Sequence, residues 1–226
     1  MDIDDTILDF HRAEATALHR TLTELGIAPE AETLSRYSEI NRQQWELLEE
    51  GILSRDQVLL RRFEILFREL GKNCDASSAR DRYEGLLRLG HWFVPGAEEL
   101  LRSLYGRYDL YLVSNGTADV QHARIASAGI GPFFKAIFIS EELGVDKPSP
   151  VFFRRCFALA PEIDTDRCLI VGDSLTSDIR GGMNAGIRTC WFNPAGKPGR
   201  GDITPDFTIS MLSELPPLLT RLFPEK

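Results

Sequence analysis

Short apolar runs alternate with helical segments through the second half of the chain, and this alternation restricts the fold more than any other feature. Strand-like runs are expected at residues 109–113, 136–139, 168–171, 189–192 and 207–209. Helices are expected around them, at residues 95–105, 118–128, 150–159, 177–185 and 212–222. Buried strands that alternate with helices are typical of a parallel sheet covered on both faces. The sequence therefore predicts an α/β fold with a doubly wound parallel sheet.

The first half of the chain is helical in pattern and has almost no strand signal. Helices are predicted at residues 10–25, 30–50, 54–70 and 77–89, and Ser54 with Gln57 forms the pattern of a capping box. This predicts two domains, an α/β core of residues 1–11 and 92–226 and a helical insert of residues 12–91. Pro95-Gly96 at the return is either a hinge or an ordinary helix start with Pro95 in the first turn.

Composition excludes some classes of protein and some locations. The 226 residues are enough for a sizeable core, and the formal net charge of −8 argues against a protein that binds nucleic acid polymers. No apolar run is long enough to span a bilayer, so no membrane partner is expected. Four cysteines without a Cys-x-x-Cys pair predict reduced thiols in a cytoplasmic protein. The protein is expected to be a monomer or a homodimer.

Small polar and charged residues follow four of the expected strand ends, where open parallel sheets bind their ligands. These groups are Asp2-x-Asp4-x-Thr6, Ser114-Asn115-Gly116, Lys147, and Gly172-Asp173 with Asp178. Each group alone is more often a solvated turn or an ordinary surface residue. All four in order, each at a strand end, are a far more specific signal of one shared site.

The chemistry of this set points to a cation and a phosphate. Carboxylates at Asp2, Asp4, Asp173 and Asp178 would repel each other strongly in one cleft unless a divalent cation offset them, and a site of oxygen ligands alone suits Mg²⁺. An ammonium, a hydroxyl and backbone N–H groups, here at Lys147 and at residues 114–116, are what a phosphate dianion needs. The set predicts metal-assisted phosphoryl transfer.

These motifs resemble those of the haloacid dehalogenase-like hydrolase superfamily, in the form that carries a helical cap after the first motif. Asp2-x-Asp4-x-Thr6 is similar to its first motif, Ser114 to its second, Lys147 to its third, and Gly172-Asp173 with Asp178 to its fourth. The resemblance extends over nearly the whole chain. Residues 172–193 are especially similar to the branch of noncanonical pyrimidine nucleotidases, which act on nucleoside 5′-monophosphates.

The resemblance implies a role for each motif residue. Asp2 would attack phosphorus and form an aspartyl-phosphate, and Asp4 would protonate the leaving group and then activate water. Mg²⁺ would be held by Asp2, Asp173 and the backbone carbonyl of Asp4, with Asp178 ordering metal-bound water. Phosphate binding would fall to Thr6, Ser114, Asn115, Gly116 and Lys147.

Two other functions remain open from the sequence. One is a phosphatase or phosphomutase for sugar phosphates or phosphoglycolate, and the other is an idle family member that binds a phosphorylated ligand as a regulator. The intact set of motif residues argues against the idle protein, and an aspartate at position 4 argues against a dehalogenase. Candidates to face a nucleobase from the insert are Arg36, Tyr37, Asn41, Gln44, Trp45 and Arg62.

Asp2 is preceded by Met1 alone, although a family nucleophile follows a strand in the middle of the sheet. We therefore expect roughly six to ten further, mostly apolar residues before Asp2 in the natural protein. Without them, another segment would have to fill the gap between neighbouring strands. A complete N-terminal sequence with nothing upstream would contradict the expectation.

Overall fold

The computed structural model describes residues 1–223 of the chain. These residues divide into two compact units, one formed by Met1–Asp9 with the chain from Phe93 onward, and the other by Phe10–Trp92. The first unit is α/β and the second is helical. That the helical unit acts as a cap stays a prediction.

The helical unit contains α1 (Phe10–Glu24), α2 (Ala31–Glu49), α3 (Arg55–Glu69) and α4 (Ala76–Leu87). The expected capping box begins α3, because the Gln57 N–H donates to Ser54 Oγ at 3.3 Å and the Ser54 N–H donates to Gln57 Oε1 at 2.9 Å. Within the unit, α1 packs against α4 and α2 packs against α3.

A polar network lies in the interior of the helical unit. Arg62 is buried, donates to Asn41 Oδ1 at 3.0 Å and pairs with Glu84, while Asn41 donates to Glu14 at 2.7 Å. Tyr37 is fully buried among aromatic rings of the same unit. Buried charges need such partners, so these side chains hold the unit together. The interpretation that Tyr37, Asn41 or Arg62 faces a nucleobase is therefore not supported.

The other three candidates also have partners within the unit. Arg36 donates two hydrogen bonds to Glu69, each at 2.8 Å. Gln44 is buried and accepts from Arg61 at 3.3 Å. Trp45 is half-buried and donates through its indole N–H to an amide oxygen of α2 at 3.1 Å. None of these contacts identifies a substrate-binding residue.

The α/β unit follows the predicted alternation of strands and helices. Its strands lie within two residues of their predicted bounds and are β1 (Tyr111–Ser114), β2 (Ala136–Ile139), β3 (Leu169–Gly172), β4 (Arg188–Phe192) and β5 (Phe207–Ile209). Its helices are α5 (Ala97–Leu104), α6 (Ala118–Ala128), α7 (Ser140–Leu143), α8 (Pro150–Leu159), α9 (Arg180–Ala185) and α10 (Leu215–Leu222), with a π-helical turn at Leu175–Ile179.

One prediction about a helix start was wrong. Pro95 precedes α5 and is not in its first turn, because Gly96 is the N-cap residue and has a φ of +83°. This left-handed conformation is not helical and suits glycine, so the helix begins only at Ala97.

Strands of the unit pair in parallel, as predicted. β1 pairs with β2, and β3, β4 and β5 pair in that order. The first two residues join these groups, because the Val113 N–H donates to the Met1 carbonyl at 2.9 Å and the Asp2 N–H donates to the Val171 carbonyl at 2.9 Å. Asp2 therefore lies between the ends of β1 and β3. The expectation of further residues before Asp2 stays a prediction.

Helices cover both faces of these strands. Leu112 and Val171 pack in a cluster with α5 and α10, whereas their neighbours Val113 and Ile170 pack with α8. This arrangement follows from the alternation of side chains along a strand. The predicted doubly wound α/β fold is confirmed. The four cysteines are free thiols, and no helix in residues 1–223 has both the length and the apolar character needed to cross a bilayer.

Candidate active site

The buried ammonium of Lys147 lies at the centre of the residues that follow the strands. It donates to Asp2 Oδ1 at 2.8 Å, to Asp178 Oδ1 at 2.7 Å and to the Val113 carbonyl at 3.1 Å. An ammonium has three N–H donors, so all three are used. Burial disfavours its charge, but Asp178 and Asp2 more than offset this and raise the pKa of Lys147 above its ordinary value. Lys147 therefore stays charged beside both carboxylates.

Asn115 fixes the loop that carries this lysine. The Lys147 N–H donates to Asn115 Oδ1 at 2.8 Å, and Asn115 Nδ2 donates to the Lys147 carbonyl at 2.8 Å and to Ser177 Oγ at 3.2 Å. With the side chain engaged in this way, a contact from Asn115 to phosphate would come from its backbone N–H. Its predicted role in phosphate binding stays a prediction.

Asp2, Asp173 and Asp178 converge beside Lys147. One carboxylate oxygen from each lies within 4.8 Å of the others. Gly172 makes this approach possible, because a Cβ at that position would lie 2.1 Å from Asp178 Oδ2. The predicted ligand set is thus brought together except for Asp4, whose expected contribution was a backbone carbonyl.

The charges of this cluster are not balanced by the protein. Burial first, and then the charge of Asp178, raises the pKa of Asp2 well above its ordinary value. The same two causes raise the pKa of Asp173 to about 7. The exposed Lys197 lies 3.8 Å from Asp173, so three carboxylates face two ammonium groups, and an excess of negative charge remains in a buried place. Because every donor is an oxygen, the cluster fits a hard divalent cation such as Mg²⁺.

The Asp4 side chain contacts two residues of α6 that were missed from the sequence. Asp4 Oδ2 accepts from Gln121 Nε2 at 2.6 Å, and Asp4 Oδ1 pairs with the buried Arg124. Their spacing of three residues places both on the buried face of α6. The available signal was two long polar side chains on a helix face otherwise formed by Val120 and Ile125.

Thr6, Ser114 and Gly116 complete the predicted set. Thr6 is fully buried and its hydroxyl lies 3.5 Å from Asp2 Oδ2, so it contacts the nucleophile candidate within the first motif. Ser114 Oγ accepts from the Gly116 N–H at 3.1 Å. All nine predicted residues therefore lie in the α/β unit at the carboxyl ends of its strands, as expected for a parallel sheet.

Comparisons with known proteins agree with this arrangement. The family model of the haloacid dehalogenase-like hydrolases matches residues 1–186. The pyrimidine 5′-nucleotidase PynA of Streptococcus pneumoniae is 35% identical, with 100% of this chain and 95% of PynA covered. The pyrimidine 5′-nucleotidase YjjG of Escherichia coli is 31% identical, with 97% of this chain and 96% of YjjG covered.

A solved structure shows the same similarity in three dimensions. The HAD-hydrolase YfnB of Bacillus subtilis, bound to magnesium, superposes with a TM-score of 0.92 at 40% identity and with 96% of each chain covered. The predicted resemblance, including that to the branch of the pyrimidine nucleotidases, is confirmed, and it supports the expected phosphatase class. The chain belongs to the haloacid dehalogenase-like hydrolase family.

Proposed function

We propose that the enzyme hydrolyses phosphate monoesters with Mg²⁺, through an aspartyl-phosphate on Asp2, and that its substrates are nucleoside 5′-monophosphates. The observation that carries the proposal is the junction at Asp2, where a buried lysine and two further carboxylates meet one nucleophilic carboxylate. A pyrimidine base in the substrate is supported by similarity to PynA and YjjG over almost the whole chain.

In the first step a carboxylate oxygen of Asp2 attacks phosphorus. A bond forms between that oxygen and phosphorus, and the bond from phosphorus to the 5′ oxygen of the nucleoside breaks. Lys147 holds Asp2 Oδ1 in place and offsets negative charge as it develops. Asp4 then supplies a proton to the leaving 5′ oxygen, so that a neutral nucleoside departs.

In the second step a water molecule attacks the phosphorylated Asp2. Asp4, now a carboxylate, takes a proton from this water, and the bond between phosphorus and the Asp2 oxygen breaks. Inorganic phosphate leaves and both aspartates return to their starting forms. The same residue thus acts first as acid and then as base, and Asp2 serves as leaving group in this step.

Mg²⁺ would be held by Asp2, Asp173 and the Asp4 carbonyl, and Asp178 would order metal-bound water. When bound, the metal supplies positive charge that lets the phosphate dianion approach a carboxylate. Without it, burial and then the charge of Asp178 raise the pKa of Asp2 well above its ordinary value, so a cation bound here would favour the ionised nucleophile. Magnesium in the related YfnB structure supports this assignment.

We also propose that the helical unit of residues 10–92 acts as a cap. Support comes from YfnB, whose magnesium-bound structure reveals interdomain movement. Fluorescent labels placed on the two units should report a changed distance when vanadate and Mg²⁺ are added together. An unchanged distance would contradict this role.

A phosphate-release assay on a substrate panel tests the reaction. Uridine, cytidine and thymidine 5′-monophosphates should be hydrolysed only with Mg²⁺, and faster than purine nucleotides, glucose 6-phosphate and phosphoglycolate. Cleavage of a sugar phosphate alone would reject the nucleotide substrate and keep the phosphatase. A wild-type enzyme that binds phosphate but cleaves no monoester would support the idle regulator.

Asp2→Asn tests the covalent mechanism. It should remove phosphate release and the acid-stable phosphoenzyme that [³²P]-labelled substrate would leave on the wild type. Asp5→Asn is the matched control, because it removes a carboxylate from the same loop at a residue with a φ of 54°, a conformation that asparagine tolerates. Normal turnover by Asp2→Asn would end the covalent proposal.

A further inference from the structure

Two buried polar side chains of α6 have no role in the mechanism derived above. Gln121 and Arg124 are each 1% exposed, although such residues rarely lie fully inside a protein without a specific partner. Their partners are the acid–base candidate Asp4 and the phosphate-binding candidate Ser114. Gln121 thus connects two groups that the reaction uses separately.

The orientation of the Gln121 amide is determined by its neighbours. Its Nε2 lies 2.6 Å from Asp4 Oδ2 and 2.8 Å from Ser114 Oγ, and its Oε1 lies 3.0 Å from an Arg124 nitrogen. A guanidinium can only donate hydrogen bonds, so the atom of the amide that faces Arg124 must be its oxygen. The nitrogen of the amide must therefore face Asp4 and Ser114, and the oxygen must face Arg124.

This orientation determines what the Ser114 hydroxyl can do. Its oxygen accepts one hydrogen bond from Gln121 Nε2 and another from the Gly116 N–H at 3.1 Å. A hydroxyl has two acceptor positions and one donor, so both acceptor positions are occupied. The O–H of Ser114 is left as a donor only, which matches a phosphoryl oxygen because that oxygen is an acceptor.

Gly116 is part of the same arrangement. A Cβ at residue 116 would lie 2.5 to 2.7 Å from the end of the Gln121 side chain. The absence of a side chain at Gly116 therefore gives the amide its place beside Ser114. This is a steric reason for glycine at a position that the sequence assigned to phosphate binding.

We propose that Gln121 is a positioning residue, which commits the Ser114 hydroxyl to donate to a phosphoryl oxygen and holds the Asp4 carboxylate with Arg124. The proposal rests on the phosphatase function above. It adds that a residue of α6 determines whether the Ser114 hydroxyl donates or accepts a hydrogen bond.

A double-mutant cycle with inorganic phosphate as the probe tests the Ser114 part. Gln121→Met and Ser114→Ala should each weaken the binding of phosphate to the Mg²⁺-loaded protein, measured by calorimetry, by roughly tenfold or more. The double variant should bind no more weakly than Ser114→Ala, because Gln121 acts through that hydroxyl. Unchanged binding by Gln121→Met, or losses that simply multiply, would overturn the proposal.

Steady-state kinetics test the Asp4 part. Gln121→Met should lower kcat for uridine 5′-monophosphate further than its weaker phosphate binding alone explains, because Asp4 also loses a donor. Gly116→Ala should reproduce both losses with the amide still present. Exposed Gln43→Met, on α2, is the matched control and should change neither value. Thermal unfolding of each variant separates these effects from misfolding.

The outcomes distinguish this inference from the proposed function. A wild type that binds phosphate but hydrolyses nothing would reject the phosphatase, while the cycle with phosphate would still decide the role of Gln121. A wild type that binds no phosphate would reject both.

Discussion

Replacing Asp173 with asparagine should stabilise the metal-free protein, because the surroundings of this carboxyl group disfavour its ionised form. Burial and Asp178 raise its pKa from 3.8 to about 7. That difference corresponds to about 4 kcal/mol at most. The side chain is still 22% exposed, so solvent screens part of the penalty. We therefore expect Asp173→Asn to raise the free energy of unfolding by about 2 kcal/mol at pH 8.

The gain should depend on pH in a defined direction. Between about pH 4 and pH 7 the unfolded chain releases the Asp173 proton while the folded protein keeps it, so the free energy of unfolding of the wild type falls as pH rises. Above pH 7 both states have lost the proton and the loss levels off. Asp173→Asn has no carboxyl group at this position and so lacks this loss of stability with rising pH. The two proteins should therefore be alike near pH 4 and should differ in Tm by roughly 4–8 °C at pH 8.

Thermal unfolding by circular dichroism from pH 4 to pH 8, with a chelator present, measures this difference. Asp56→Asn, at an exposed residue of α3, is the control and should show no such growth with pH. Adding Mg²⁺ should stabilise the wild type and leave Asp173→Asn almost unchanged. A Tm difference that is constant with pH, or a less stable variant at pH 8, would refute the reasoning.

Three further predictions follow from other parts of the structure. Asp4→Asn should release one equivalent of nitrophenolate from p-nitrophenyl phosphate in stopped flow and then stall, because this leaving group needs no proton but the second step needs a base; steady turnover would contradict this. Gly172→Ala should lower kcat at least roughly tenfold by displacing Asp178. Gly85→Ala, at a position on α4 with open space around it, should keep its kcat and raise the free energy of unfolding by about 0.5–1 kcal/mol in urea titrations. Equal kcat values for the two variants would contradict the steric argument. Arg62→Met should lower the free energy of unfolding by about 3 kcal/mol, since it removes a buried charge that pairs with Glu84 and donates to Asn41, and an unchanged urea midpoint would contradict this.

Much of the fold follows from local pattern. The bounds of α6 and α8 were predicted without error, because turn residues and a serine–proline start punctuate amphipathic segments there. The start of β1 was predicted two residues early, at Asp109, since apolar character alone does not show where ladder pairing begins. The left-handed Gly96 is a property of backbone geometry, so Pro95 was wrongly placed inside a helix.

The site was predictable where residues follow strands and not where they come from a helix face. Asp2, Lys147 and Asp173 were found because parallel strands end at one edge of the sheet. Gln121 and Arg124 lie inside a helix, and only the folded chain shows that their face meets Asp4. Their polarity on a buried face was the one available hint.

The filled donors of Lys147 have a consequence for how a ligand arrives. Each of its three N–H groups already donates to an oxygen of the protein, two to carboxylates and one to a carbonyl. An incoming phosphoryl group cannot simply add a hydrogen bond to this ammonium and has to displace an existing one. Association is then an exchange of partners, and its free energy is a difference between two well-formed contacts. Such a site would hold phosphate only moderately, which favours release of the product.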